Sequence, residues 1–331
     1  MAQQDRNIGS ERIVGLSKSA AVVRVVDADE SRDPDTVRAV LSHVTEDGAV
    51  TADGVDSAVT DASMILSTAE TRVELASIDL DDAREAAGDD AAIGAVRSRL
   101  DVFEAKVSNA TERVESLGEE LQGLSDWRDD PRSVYDIVLG LREVASESQA
   151  LTAHADNVQL DIEEFDRWLS NHDVRVRGVN GDVAALEQSL DGLEDRAAAV
   201  ADAEGSEDSA DAAEDAGDDR ATEWCNAALR ARVSALLVED TRAELADLRK
   251  LAPDPDAETD GLDEAAADLA DLDARVQRLR GRLDDLARPP WTDEYGARIE
   301  SFEATLATFE PPVSWGEVQA ELDDARAGDD G

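Results

Sequence analysis

The chain has 331 residues, of which 42% are apolar and only 3% aromatic, and its 79 acidic and 32 basic residues give a formal net charge of -47. A core made mainly of Ala, Val and Leu suits packed helices better than a sandwich or a barrel, which would draw on β-branched and aromatic residues. The charge argues against nucleic acid as a ligand, because binding phosphates requires Lys and Arg. The excess negative charge suits a protein in concentrated salt, because at molar ionic strength the repulsion between acidic side chains is screened beyond roughly 3 Å.

The sequence predicts a cytoplasmic protein without a membrane span. Cys225 is the only cysteine, so no intrachain disulfide can form and nothing indicates an oxidising compartment. Lys18 and Arg24 interrupt the apolar run near the N-terminus, which makes it a poor signal peptide. No stretch of about 18 apolar residues, the minimum for crossing a bilayer, occurs in the sequence.

Residues 1–11 are predicted to be disordered, and residues 12–90 to form a small helical domain. Asp33-Pro34 predicts a helix start, because aspartate caps a helix and proline fits its first turn. Ser67–Glu70 reads as a capping box that starts a further helix. That helix has a wide apolar face, which predicts burial on more than one side: Val73, Leu75, Ala76, Ile78, Leu80, Ala83 and Ala87.

The stretch VTEDGAVTADGV, residues 44–55, could be either a calcium loop or a corner. A calcium loop aligned on Gly48 needs oxygen ligands at set places and a bidentate Glu at the last one. The ligand places hold His43, Thr45, Asp47, Ala49, Thr51 and Gly54, of which only Asp47 is a strong ligand. We therefore predict a turn at Asp47-Gly48, with Thr51 capping the next helix.

Residues 34–66 could also form a DNA-reading helix-turn-helix. The second helix of that module would be ADGVDSAVTDASMIL, which carries Asp53, Asp56 and Asp61 and no basic residue. Such a helix would be repelled by phosphates, so the pattern disfavours DNA binding.

Residues 91–204 carry the clearest pattern, three runs of apolar residues at alternating steps of three and four. The runs extend from Ile93 to Leu124, from Val134 to Leu169 and from Val183 to Val200. Asp130-Pro131 predicts the start of the second helix. Short connections force neighbouring helices to run antiparallel, so these runs predict a long three-helix bundle or coiled coil.

The connection between the second and third runs has two interpretations. His172, Val176 and Val179 continue the heptad phase, which allows one unbroken helix through residues 170–182. Gly178, Asn180 and Gly181 are poor helix formers, which favours a turn near Asn171.

Residues 205–220 are predicted to be an acidic linker, because they contain no apolar residue larger than alanine. A C-terminal helical domain is predicted over 221–327. It includes a full heptad seam from Leu262 to Leu286, and residues 328–331 form a tail. The predicted fold class is therefore all-α: a long antiparallel helical bundle flanked by smaller helical domains.

The residue pattern predicts no catalytic, cofactor-binding or metal site. His43, His154 and His172 lack metal-ligand spacing, and Cys225 has no CxxC partner or evident base. Acidic pairs occur throughout a solvated acidic surface and so are not specific, and no phosphate-binding GxxxxGK[ST] loop occurs. Five tryptophans lie near helix ends and are expected to plug them, although an exposed Trp291 could instead anchor a partner.

Three segments resemble a family of haloarchaeal proteins known as "halo transducer protein". They are STAETRVELASIDLDDAREAA (67–87), QLDIEEFDRWLS (159–170) and WCNAALRARVSALLVEDTRAELADLRK (224–250). The resemblance covers most of the chain outside the acidic linker, and its motifs are helical rather than catalytic. It implies kinship with chemotaxis transducers, although this sequence has neither a membrane span nor the Glu- and Ala-rich hairpin tip that contacts the signalling kinase.

Sustained heptads without catalytic residues predict a non-enzymatic cytoplasmic scaffold that binds protein partners, or a second copy, through helical surfaces. One alternative is a soluble, transducer-like signalling component. Another is a DNA-associated regulator that acts through residues 34–66. We expect no cofactor and no nucleic-acid partner.

Overall fold

The computed structural model describes residues 13–128, 130, 133–202, 210–252 and 260–327, and of residues 210–218 and 260 the backbone alone. The chain divides into two compact units. Unit 1 comprises residues 1–86 and 100–165, and unit 2 comprises residues 87–99 and 166–331. These boundaries do not coincide with the domain boundaries that the sequence suggests. The predicted disordered N-terminus (1–11) and tail (328–331) lie outside the described residues.

Nearly all regular structure in the described part of the chain is α-helical, so the all-α prediction is confirmed. The helices are α1 (Lys18–Ala28), α2 (Pro34–Leu41), α3 (Ala52–Ala87), α4 (Gly94–Ser125), α5 (Val134–Ser170), α6 (His172–Asp202), α7 (Ala210–Lys250), α8 (Asp260–Leu286), α9 (Pro289–Leu306) and α10 (Trp315–Ala327). Short 3₁₀ segments lie at Ser42–Val44 and Gly88–Ala92, and a hairpin joins β1 (Thr45–Glu46) to β2 (Ala49–Val50).

Unit 1 has a core of aliphatic side chains from α1, α2, the hairpin and the parts of α3, α4 and α5 that belong to it. Asp33 caps α2 as predicted, accepting a hydrogen bond from the Thr36 amide at 2.7 Å. Lys106 of α4 pairs with Asp161 of α5 at 2.7 Å. Phe103, three residues before Lys106 on α4, packs edge-on against Phe165, four residues after Asp161 on α5. The two helices therefore run antiparallel in this unit.

The prediction of a helix start at Ser67–Glu70 is wrong, because α3 is one continuous helix. The Thr71 hydroxyl donates to the Ser67 carbonyl four residues earlier, at 3.0 Å. Hydroxyl side chains can bond to the preceding turn of a helix as well as cap a new one, so a capping pattern also fits a helix interior.

The start of α5 also differs from the prediction. The helix begins at Val134 and is capped by Ser133, whose Oγ accepts from the Asp136 amide at 3.2 Å. Asp130 lies upstream of the helix, and Pro131 is outside the described residues. Serine is as good a cap as aspartate, and its position three residues before Asp136 suits the first turn.

Unit 2 is built around α6, α7 and α8, which pack on one another in all three pairings, with α9 and α10 added against α7. Arg249 pairs with Asp263 at 2.8 Å. Arg242 pairs with Asp273 at 2.6 Å. In these two pairs the residue number falls along α7 as it rises along α8, so the two helices are antiparallel. The heptad seam of α8 is buried from Leu262 to Leu283, as its spacing predicts.

The turn predicted near Asn171 is confirmed, because α5 ends at Ser170 and α6 begins at His172. The Asn171 side chain accepts from the Val174 amide at 3.2 Å and so caps α6. Gly178 and Gly181, which favoured a break, lie inside α6. The capping group therefore decided where the helix starts, and tertiary packing overrode the poor helix propensity of glycine.

The long three-helix bundle predicted over 91–204 is not confirmed. The buried residues of α6, from Val179 to Val200, belong to the core that also contains α7, α8, α9 and α10. A heptad seam specifies that a helix buries one face but does not name its partner. The acidic-linker prediction also differs from the structure, because α7 already begins at Ala210. Alanine has the highest helix propensity, which explains this start, and residues 205–209 lie outside the described part.

Candidate interaction surface

The stretch at residues 44–55 forms the corner that its sequence predicts. Asp47 (φ 50°) and Gly48 (φ 82°) adopt the left-handed backbone of a tight hairpin turn. The Thr51 hydroxyl accepts from the Gly54 amide at 2.9 Å and so caps α3. Across the described residues, no group of three His, Cys, Asp or Glu side chains is arranged to hold a metal ion.

The histidines and the cysteine do not form a site together. His43 and His154 are exposed and belong to unit 1, whereas His172 is half-buried at the start of α6 in unit 2. Cys225 is buried in the core of unit 2. Burial raises the pKa of the Cys225 thiol, so it is protonated at neutral pH and unreactive.

Trp291 is not available as a partner anchor. Its side chain is buried, and its ring centroid lies 5.8 Å from that of Trp224. The Trp224 indole N–H donates to the Leu283 carbonyl at 2.8 Å. The interpretation of Trp291 as an exposed hot spot is therefore wrong. Trp291 lies in the first turn of α9, after Pro289 and Pro290, and its ring packs inward.

A cavity of about 590 Å³ in unit 2, beside the start of α4, contains three carboxylates that all serve structure. Asp247 of α7 accepts from the Ala95 amide at 2.8 Å and pairs with Lys250 at 2.7 Å. Asp240 accepts from the Val313 amide and from the Trp315 indole N–H.

Glu244, the third carboxylate, pairs with Arg99 at 2.7 Å. The backbone at the start of α4 also fits this arrangement closely. A Cβ at Gly94 would lie 2.7 Å from Asp247 Oδ2, so a larger residue there would displace the Asp247 carboxylate. The carboxylates of this cavity therefore bond to backbone N–H groups, an indole and basic side chains of neighbouring segments.

Unit 1 has a strip of large apolar and hydroxyl side chains along the exposed face of α3, which we call the α3 outer strip. All its members are exposed and uncharged: Met64, Ser67, Thr68, Thr71, Leu75 and Ile78. The exposed fraction is 66% for Met64, 39% for Leu75 and 49% for Ile78. Of the six large apolar side chains that are exposed among the described residues, these three lie on this one strip.

The two threonines make the strip more apolar than its composition suggests. The Thr68 hydroxyl donates to the Met64 carbonyl at 2.9 Å, and the Thr71 hydroxyl donates to the Ser67 carbonyl at 3.0 Å. Because both hydroxyls are engaged with the backbone, the methyl groups are what these residues can offer a partner. A shallow groove lined by Met64, Thr68, Thr71 and Leu75, among others, runs along the strip.

Acidic residues border the α3 outer strip. Asp61 and Asp82 are exposed beyond its two ends, and Glu74 is exposed on one side. On the other side lies Arg72, whose charge is matched by Asp156 of α5 at 3.5 Å. The strip is therefore an apolar stripe in a negative surround.

The sequence predicted this surface wrongly, because Leu75 and Ile78 were expected to be buried on a second side of the helix. In the structure, the buried face of α3 comprises Val73, Ala76 and Leu80, and no described element covers Leu75 or Ile78. The available signal was the absence of a charged residue from the seam at steps of four and three: Met64, Thr68, Thr71, Leu75 and Ile78.

No described helix contains a segment long and apolar enough to cross a lipid bilayer. No protein-family model matches the chain, and neither a curated protein nor a solved structure shows significant similarity to it.

Proposed function

We propose that this chain is a non-enzymatic cytoplasmic scaffold whose α3 outer strip binds an amphipathic helix of a partner protein. The partner helix carries aliphatic residues at heptad spacing, bordered by Lys or Arg. The observation that carries the proposal is the exposed, uncharged strip itself, on a chain that places acidic residues over most of its surface. Exposed apolar patches on otherwise polar surfaces mark interaction sites.

The spacing of the strip suits a helix as its occupant. Met64, Thr68, Thr71, Leu75 and Ile78 follow steps of four, three, four and three, which is the seam of a two-helix coiled coil. The seam is about 21 Å long, at 1.5 Å per residue, and therefore offers a second helix about four turns of contact. Small threonines between the larger residues leave room for side chains of the partner.

Charge selects the chemistry of the partner. In coiled coils, the residues that flank the seam decide which helices pair. Glu74, Asp61 and Asp82 border this seam, and the positive charge of Arg72 is already matched by Asp156. A second copy of this chain would bring acidic borders together, whereas a helix with basic borders would complement them.

The remainder of the proposed scaffold is the antiparallel packing of α4 on α5 in unit 1. The pair between Lys106 and Asp161 and the Phe103–Phe165 contact support a bundle-like scaffold of this kind. A rigid support keeps the exposed strip in one conformation, which reduces the entropy lost on binding.

A labelled helical peptide of about 21 residues tests this function, with leucines at heptad positions and Lys or Arg at the flanking positions. Its binding to the full chain can be followed by fluorescence anisotropy in concentrated KCl. We expect the peptide to bind, and Leu75→Asp and Ile78→Asp each to weaken binding at least about tenfold, because each removes about 1.5 to 3 kcal/mol of apolar burial.

Leu160→Asp is the matched control, since Leu160 is an exposed residue of α5 outside the α3 outer strip, with an exposed fraction of 57%. It introduces the same charge and should leave peptide binding unchanged. Equal losses in Leu75→Asp and Leu160→Asp would show general electrostatic attraction and overturn the proposal. Equal binding of a peptide with Glu at the flanking positions would do the same. Light scattering that shows a dimer, abolished by Leu75→Asp, would identify a second copy as the occupant instead.

A further inference from the structure

Three arginines from three helices line one cavity in unit 2. Arg196 of α6, Arg230 of α7 and Arg326 of α10 meet around a space of about 490 Å³. No Asp or Glu is among the described residues that line it. Since acidic residues outnumber basic ones by more than two to one in this chain, a cavity lined by three cations and no carboxylate departs from the rest of the surface.

The arginines are only weakly compensated by nearby acids. Within the described parts of the chain, neither Arg196 nor Arg230 has a carboxylate within ion-pair distance. Arg326 pairs with Asp323 of its own helix at 3.3 Å, a contact one turn apart. Arg230 is half-buried, and lost hydration lowers its pKa. Repulsion from Arg326 and Arg196 lowers the pKa further, and attraction to Glu223 raises it without restoring the ordinary value. The protonated form of Arg230 is therefore less favoured here than it would be in water.

The other lining residues favour a small ligand. Gln188 and Ser189 of α6 supply neutral hydrogen-bonding groups at the edge. Leu193, Val233 and Leu237 supply an apolar wall. A space of this size lies in the range of pockets that hold small molecules.

We infer that the cavity formed by Arg196, Arg230 and Arg326 binds a small anion of the phosphate class, such as pyrophosphate or a phosphomonoester. Guanidinium groups present several N–H donors in a planar fork that matches the oxygens of phosphate. A multivalent oxyanion would offset the repulsion among the three cations more effectively than chloride does. This site lies in unit 2 and is independent of the α3 outer strip in unit 1.

The test is calorimetric titration of the full chain with pyrophosphate, with the ionic strength held constant by KCl. Arg230→Gln and Arg196→Gln should each weaken binding about ten- to a hundredfold, the loss expected for a charge-assisted hydrogen bond. Arg278→Gln is the matched control, because Arg278 is an exposed arginine of α8 outside the cavity. It changes the net charge by the same amount and should bind pyrophosphate as the unmodified chain does.

A second measurement separates binding from a structural role of Arg230. Without ligand, Arg230→Gln should melt at the same temperature as the unmodified chain or higher, because it removes a repelled charge. It should lose the rise in melting temperature that pyrophosphate gives the unmodified chain. A lower melting temperature without ligand would assign Arg230 a structural role and overturn the inference.

The remaining outcomes are also decisive. Binding of pyrophosphate that is equally strong in Arg230→Gln, or no binding at millimolar concentration, would contradict the site. Equal affinity for citrate would show recognition of charge alone and not of phosphate. Leu75→Asp should bind pyrophosphate normally, so this inference and the proposed function fail separately.

Discussion

Arg275 and Arg230, both in unit 2, show opposite uses of positive charge on an acidic chain. Arg275 of α8 faces α6, where it pairs with Glu194 at 2.9 Å and also with Asp191, and these hydrogen bonds raise its pKa. Arg230 of α7 faces two other arginines, and its pKa is lowered. The same residue type therefore stabilises helix packing in one place and carries a stability cost in the other.

The largest effect should come from Arg175, whose charge is used entirely within the protein. Its buried guanidinium donates to the carbonyls of Trp168 and Leu169, at 3.0 and 2.7 Å, and to that of Leu251 at 3.1 Å. These carbonyls belong to the last turn of α5 and the end of α7, where helical partners are lacking. Arg175→Ala should lower the free energy of unfolding by about 3 kcal/mol, as measured by urea denaturation.

Arg177→Ala is the control for that experiment, since Arg177 is exposed on the same helix. It should change stability by less than about 0.5 kcal/mol. A loss as large as that of Arg175→Ala would show that the effect comes from shortening any arginine of this helix and not from the capped carbonyls.

Arg275→Gln should have a smaller effect, about 1 kcal/mol, because its carboxylate partners are largely exposed. The loss should shrink as KCl is raised, since salt screens exposed ion pairs. Thermal melts at low and high KCl measure both quantities. Arg282→Gln, an exposed site on the same helix, should show neither the loss nor its salt dependence.

Glu303 of α9 is the converse of Arg275, a carboxylate between two arginines. Burial raises its pKa, but Arg232 at 2.7 Å and Arg280 outweigh burial, so the pKa lies below the ordinary 4.5. Because the folded-state pKa is depressed, this stabilisation is complete above about pH 4.5 and is lost as pH falls through the folded pKa.

The melting temperature of the unmodified chain should therefore exceed that of Glu303→Gln at neutral pH, with the gap closing as pH is lowered through the folded pKa. Thermal melts of both proteins at several pH values between neutral and acidic measure this difference in melting temperature. Glu300→Gln, an exposed site on α9, is the control and should show a smaller gap. A gap for Glu303→Gln that is the same at every pH would refute the role of the ion pairs.

The smallest effect, and the only one with the opposite sign, is expected for Arg230→Gln without ligand. Removing a repelled charge should raise the free energy of unfolding by about 0.5 kcal/mol or less, the usual size of an exposed charge interaction. Urea denaturation of Arg230→Gln and Arg275→Gln in parallel compares the free energies of unfolding in the two arginine environments. Destabilisation of both variants to the same extent would remove the contrast between them.

Local patterns in the sequence predicted several features correctly. The Asp33 cap, the turn at Asp47-Gly48 with its Thr51 cap, and the break near Asn171 depend on residues within four positions of one another. The heptad seam of α8 likewise predicted which of its residues are buried. These features follow from short-range geometry, which the order of residues specifies directly.

Errors arose where one local pattern fits two structures. Ser67–Glu70 matches a capping box, yet the hydroxyl of Thr71 bonds inside a continuous α3. Trp291 lies near a helix end, which allowed an exposed anchor as one interpretation, but it packs beside Trp224 in the core. Leu75 and Ile78 have the hydrophobicity of buried residues, although nothing described covers them.

The sequence by itself determined the helices and the buried face of most of them, because helical periodicity and capping act over a few residues. It also determined the acidic surface, which depends on composition alone. Only the tertiary structure decided that α6 packs with α7 and α8, that the α3 outer strip stays uncovered, and that Arg196, Arg230 and Arg326 meet at one cavity. Those three arginines span 130 positions in the sequence, and contacts over such separations depend on which apolar faces pair, a choice that heptad spacing leaves open.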